Sequence, residues 1–167
     1  MTIDYIEGCL TKEEEVEIQE VSSDLYVHFS PRKPGISNAA LDELFGHVVI
    51  WLTSSEVQAF VNAVALSTAF YGIVKKIVEY GKKKAVVKLD SEMNMIVQKQ
   101  NVIIQTNNIK ILRPENTEEL TEDDYLRLAL SVVAKEDLPD NVEIIISYDG
   151  KFHVETIDQY ARRKMKR

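Results

Sequence analysis

Apolar and polar positions change period several times along the chain. Val16, Ile18 and Val21 alternate with Glu17, Gln19 and Glu20, and a strand-like run resumes from Leu25 to Phe29 after Ser22-Ser-Asp24. Period-two alternation interrupted by turn residues predicts a hairpin over 15–30. The next stretch, Pro31-Arg-Lys-Pro34-Gly35, predicts a loop, because two prolines lack amide donors and glycine punctuates. Ser37 is placed to cap a short helix carrying Leu41, Leu44 and Phe45 and ending near Gly46, and His47 to Leu52 reads as a short strand.

The strongest helical pattern covers 54–80. Thr53-Ser-Ser-Glu56 is a capping box, Gly81 suits a left-handed C-terminal position, and Val57, Phe60, Val61, Val64, Phe70, Tyr71, Val74, Ile77 and Val78 form a broad apolar stripe. At 1.5 Å rise such a helix is about 40 Å long, as wide as a compact domain. Short strands are expected after it at Ala85–Leu89, Met93–Val97, Val102–Thr106 and Ile109–Leu112, with Asn107-Asn108 as a two-residue turn. Thr121-Glu-Asp-Asp124 opens a second helix that ends about Lys135, before Leu138-Pro139. Val142–Tyr148 and Lys151–Glu155 pair across Asp149-Gly150, a type I′ turn signal, and a short fraying helix is expected from Thr156.

These elements predict a single α+β domain over 1–167. An antiparallel sheet, built of a meander and hairpins, packs on a long central helix and a second shorter helix. A basic C-terminal tail is expected at about 156–167.

Composition agrees with a self-folding globular chain: 167 residues, 45% hydrophobic and 28% charged. Cys9 is the single cysteine, which excludes an internal disulfide and suits a reducing cytoplasm; a buried or idle thiol is expected. The first eight residues lack a basic and then apolar leader pattern, so no secretory signal is expected. Val57 to Val74 carries no charge, but Gln58, Asn62, Ser67 and Thr68 interrupt it, which predicts a packed helix and no membrane partner.

Charge is unevenly placed. The net charge is −7, yet residues 156–167 carry five bases against Asp158, and Lys75, Lys76, Lys82, Lys83, Lys84 and Lys88 form a second basic run. Acidic runs lie at Glu13–Glu20 and Glu115–Asp124. Such runs are commonly solvated faces or internal ion-pair partners.

Candidate chemistry is sparse. His28, His47 and His153 are isolated and form no HxH or HxxxH pair, so no metal is expected. The six glycines are scattered without a phosphate-loop spacing, and no cofactor is expected. On a strand, His153 and Glu155 share a face, which could poise the imidazole as a base or simply make a polar surface pair. Asp90 with Glu92, and Asp123 with Asp124, read as turn and cap residues.

Macromolecular contact is the remaining expectation. Small residues on the 54–80 helix admit close helix approach, so Ala59, Ala63, Ser67, Phe70 and Gly72 are the candidate interface of a homodimer. The function expected first is a non-catalytic assembly or adaptor protein acting through protein contacts. The alternative is a nucleic-acid accessory factor using Lys82, Lys83, Lys84, Arg162, Arg163, Lys164, Lys166 and Arg167. An enzyme with its site assembled from distant residues comes third.

Overall fold

The computed structural model describes residues 1–22, 24–33, 47–89, 95–99 and 101–165, with backbone alone at 85–89 and 95–99. The helix expected at 37–46 lies outside these residues. Two compact units interleave along the chain: Met1–Trp51 with Thr68–Ile103, and Leu52–Ser67 with Ile104–Arg167.

The first unit opens with strand β1 (Thr2–Ile6), whose Ile3 and Tyr5 alternate inward. Helix α1 (Lys12–Val21) follows, where a hairpin was expected over 15–30. Thr11 and Glu14 form a capping box: the Glu14 amide donates to Thr11 Oγ1 at 3.2 Å, and the Thr11 amide donates to the Glu14 carboxylate at 2.8 Å. The buried positions Glu15, Ile18 and Ser22 recur at helical spacing, while Val16 and Val21, which supplied the strand-like alternation, are exposed. The Glu15 carboxylate accepts from the Tyr5 hydroxyl and, at 2.9 Å, from Lys12, so its burial leaves no unmet charge. Strand β2 (His28–Arg32) then runs parallel to β1, and β3 (Val48–Trp51) runs antiparallel to it on the other side. The turn of chain that carries α1 makes the parallel pairing possible, since parallel strands need a crossover.

The long helix expected over 54–80 is two helices, α2 (Ser54–Asn62) and α3 (Val64–Lys83). Ala63 between them is extended, with φ −120 and ψ 109. Its amide still donates to the Ala59 carbonyl at 2.9 Å and its carbonyl accepts from Ser67 at 3.0 Å, so the break orphans neither group. At the far end the helix continues through Gly81, expected as its C-terminal stop, to Lys83. The α3 residues Phe70, Ile73, Val74, Ile77 and Val78 fill the core of the first unit; each such side chain contributes about 1.5–3 kcal/mol on burial. Gly72 lies close to Val21 on α1, where a Cβ atom would come within 3.1 Å of Val21 Cγ1. No single helix among the described residues is long and apolar enough to cross a membrane; α2 and α3 pass such a test only when taken together across the break.

Strands β4 (Ala85–Leu89) and β5 (Met95–Lys99) form a separate antiparallel pair, the latter two residues beyond its expected start. They are not part of a continuous meander with β6 (Val102–Thr106) and β7 (Ile109–Leu112), whose limits match the sequence pattern and whose Asn107 takes positive φ.

In the second unit, α4 (Glu122–Lys135) is capped by Thr121 and buries Tyr125, Leu126, Ala129 and Leu130. The Tyr125 hydroxyl donates to the Ile146 carbonyl at 2.9 Å on β8 (Ile144–Tyr148), and burial raises its pKa. β8 runs parallel to β7, with α4 on the connection, and antiparallel to β9 (Phe152–Thr156). Tyr148 pairs with Phe152, leaving the three-residue turn Asp149-Gly150-Lys151, in which Gly150 alone has positive φ; the type I′ turn expected at Asp149-Gly150 is not formed. Helix α5 (Ile157–Met165) closes the described chain.

The main sheet has seven strands in the order β2-β1-β3-β6-β7-β8-β9. The fold is α+β as expected, but the sheet is mixed and not antiparallel, because β1–β2 and β7–β8 are parallel pairs.

Candidate functional site

Among the described residues a group of interacting titratable side chains sits where α5 folds back on the β8–β9 hairpin. Residues two apart on a strand share a face, so Ser147 and Asp149 at the end of β8 join His153 and Glu155 of β9 on one side, with Ser147 directly across from His153. Arg163, on the last turns of α5, reaches into this group. Its Nε donates to both Glu155 oxygens at 3.0 Å, one terminal nitrogen donates to Glu155 at 2.8 Å and to Ser147 Oγ at 2.9 Å, and the other donates to Asp149. A planar guanidinium alone can fork across three acceptors in this way. The Glu155 bonds push the Arg163 pKa further up, so the cation is permanent.

His153 completes the cluster. Its Nε2 lies 3.0 Å from Asp149 Oδ1, and because an ionised carboxylate only accepts, Nε2 carries the proton. Nδ1 faces Glu155 at 4.0 Å. The sequence expectation that His153 and Glu155 share a face is met. Serine, histidine and aspartate, the residue types of a nucleophile relay, therefore meet, but their bonds run differently from a relay. The Ser147 hydroxyl accepts from Arg163, and the imidazole N–H is directed to Asp149. Two carboxylates, one guanidinium and one imidazole thus bind one another, which makes this a clamp holding α5 on the hairpin. The clamp is extended by Tyr160, whose ring lies 5.4 Å from Arg163 and 5.6 Å from Lys164, and by the ion pair of Lys164 with Glu115.

Arg163, Asp149 and Ser147 were not singled out together by sequence reasoning. Their signal was the two-residue spacing of Ser147 with Asp149 and of His153 with Glu155; what the sequence lacked was the fold-back of α5.

The other residues singled out from the sequence are dispersed. Lys82 and Lys83 are exposed at the end of α3, whereas Lys84 pairs with Glu14 and donates to the Cys9 carbonyl at 3.3 Å. Arg162 is exposed on α5, and Lys166 and Arg167 lie outside the described residues. Of the candidate dimer residues, Ser67 and Phe70 are buried within the chain, Gly72 abuts Val21, and Ala59 and Ala63 are half-buried. Cys9 is buried as well. Among the described residues no group of three metal-ligating side chains occurs.

A concavity of about 240 Å³ in the same unit lies between Ser54 at the start of α2, the Asn107-Asn108 turn and Asp137. Asn107 donates to Ser54 Oγ at 3.3 Å and Asn108 to the Pro139 carbonyl at 2.7 Å, so the turn amides brace the walls of the cleft.

Comparison with protein-family models, with curated proteins and with solved structures finds no match to this chain.

Proposed function

We propose that the chain is a non-catalytic assembly or adaptor protein that works through protein–protein contacts as a homodimer. One observation carries this reading: the polar cluster at the β8–β9 hairpin directs its hydrogen bonds inward. Arg163, Asp149, Glu155 and His153 bind each other, and the product of that bonding is a rigid hairpin at the end of the seven-stranded order. A general base or nucleophile needs a proton-transfer partner in reach of substrate, whereas a braced strand at a sheet edge suits recognition of another chain. Light scattering on the purified protein tests the reading. It should return about twice the chain mass of 19.1 kDa, and a strictly monomeric mass at high concentration overturns it.

A second reading is favoured by Lys82, Lys83 and Arg162, which stand exposed while the neighbouring Lys84, Arg163 and Lys164 are ion-paired. Lys82 and Lys83 in one unit, and Arg162 by itself in the other, supply cations for a phosphate backbone, as in a nucleic-acid accessory factor. Fluorescence anisotropy with labelled single- and double-stranded oligonucleotides decides it: binding that falls steeply with salt and is lost in a Lys82→Ala/Lys83→Ala/Arg162→Ala variant supports this reading. Absence of binding at low salt rejects it.

A further inference from the structure

The clamp uses its charges internally, but the cleft at the β6–β7 turn does not. Every residue lining it belongs to the second unit. Val57, Ile109 and Leu138 give it apolar walls, and Glu136, Asp137 and Asp140 stand at its rim. No lysine, arginine or histidine lines it, and none of the three carboxylates has an ion-pair or hydrogen-bond partner among the described residues. Glu14, Glu17, Glu122, Asp149 and Glu155 differ, since each holds a cation.

Thr106 is a second, independent observation. It is 1% exposed and lines the cleft, yet its hydroxyl has no hydrogen-bond partner among the described residues. Buried hydroxyls are normally satisfied, so this one is left for a group that enters the cleft. The start of α2 at Ser54 and the last turn of α4 at Val133 and Ala134 both border the cleft. Their partial charges, about +0.5 and −0.5, offset each other, so three full negative charges set the sign of the ligand. The carboxylates do not converge as metal ligands, because no such group of three occurs among the described residues. That arrangement suits charges spaced along a chain better than a compact ion. The volume, about 240 Å³, equals the liquid share of about eight water molecules, which is room for a short unbranched chain. The walls are set in advance: Asn107 donates to Ser54, and the Asn108 amide holds the carbonyls of Pro139 and Val142. A preformed site loses little freedom on binding.

We infer that this cleft binds a linear aliphatic polyamine. The methylenes lie against Val57 and Leu138, the ammonium groups meet the rim carboxylates, and one N–H donates to the Thr106 hydroxyl. The inference holds for a monomer as for a dimer.

Isothermal titration calorimetry of the full-length protein with spermidine at low salt tests it. One-to-one binding is expected. Thr106→Val, which removes the hydroxyl, should weaken it about tenfold, and Glu136→Gln/Asp137→Asn/Asp140→Asn should abolish it. Hexaamminecobalt(III), equal to spermidine in charge but without a chain, should bind at least about tenfold more weakly, because a diffuse counterion atmosphere reads charge alone. Equal binding of the cobalt complex, spermidine binding retained by the triple variant or by a folded T106V, or no binding to wild type overturns the site. If circular dichroism shows that T106V does not fold, the triple variant, whose three positions are exposed, still decides.

Discussion

Arg163 is the residue on which the last hairpin depends, and its geometry fixes what replacing it should do. Asp149 and Glu155 are largely buried, and both carboxylates take their cation from the same guanidinium. Arg163→Ala leaves two carboxylates facing each other with only His153 between them, and it should cost about 3 kcal/mol in urea unfolding. Arg163→Lys should recover only part of this, because one ammonium cannot span Glu155, Asp149 and Ser147. A neutral effect of both substitutions would show the clamp to be incidental. Glu17 gives a prediction in pH. The Tyr80 hydroxyl first, and then Lys76 at 3.2 Å, hold its carboxyl below the ordinary value of 4.5. A depressed folded pKa adds stability that is fully present above 4.5 and is lost as pH falls through the lower folded value. Wild type should therefore melt above Glu17→Gln near neutral pH, and the gap should close on acidification below that value. A gap independent of pH would assign the effect to packing.

At the scale of elements, α1 separates pattern from physics. Its buried positions are Glu15 and Ile18, with polar Ser22 buried at the C-cap, while Val16 is exposed and Val21, beside Gly72, is still 42% exposed. A reading that follows apolar residues sees alternation, and only the Thr11-x-x-Glu14 box marks the helix. Thr11→Ala should cost about 1 kcal/mol through the lost cap, whereas Val16→Ala, at a position 57% exposed, should stay within about 0.5 kcal/mol. A hairpin would give the opposite order, so chemical denaturation of the two variants distinguishes them. Strands with local signals were readable: β6 and β7 flank a turn whose Asn107 tolerates positive φ, and α4 begins at its threonine cap. The break at Ala63 was not readable, because alanine is the best helix former and the α2 and α3 bonds around it are kept. The β1–β2 parallel pairing was hidden together with α1, since a missed crossover helix turns a parallel pair into an apparent hairpin, whereas the helix that crosses between β7 and β8 was legible and only their pairing was not. In the candidate site, period two revealed that His153 and Glu155 share a face, but Arg163 arrives from α5, a contact that no local spacing encodes.

At the scale of the whole molecule, the order of the chain matters more than its length. It passes between the two compact units after Trp51, after Ser67 and after Ile103, so neither unit is one continuous segment. The last crossing falls inside β6, between Ile103 and Ile104, both buried. A fragment ending at Ile103 therefore keeps all residues of the first unit but truncates β6 and strips Leu52, Val57 and Phe60 of the residues from 104 onward that belong to their own unit. The fragment forfeits the burial of these three side chains, about 1.5–3 kcal/mol each in the whole chain, and presents them as exposed apolar surface. With β6 cut after Ile103 the fragment Met1–Ile103 should lose the sigmoidal urea transition that the full chain shows, and its exposed Leu52, Val57 and Phe60 should make it bind the dye ANS. A cooperative transition in the fragment would show that the first unit folds alone, and that the interleaved chain order does not bind the stability of one unit to residues beyond it.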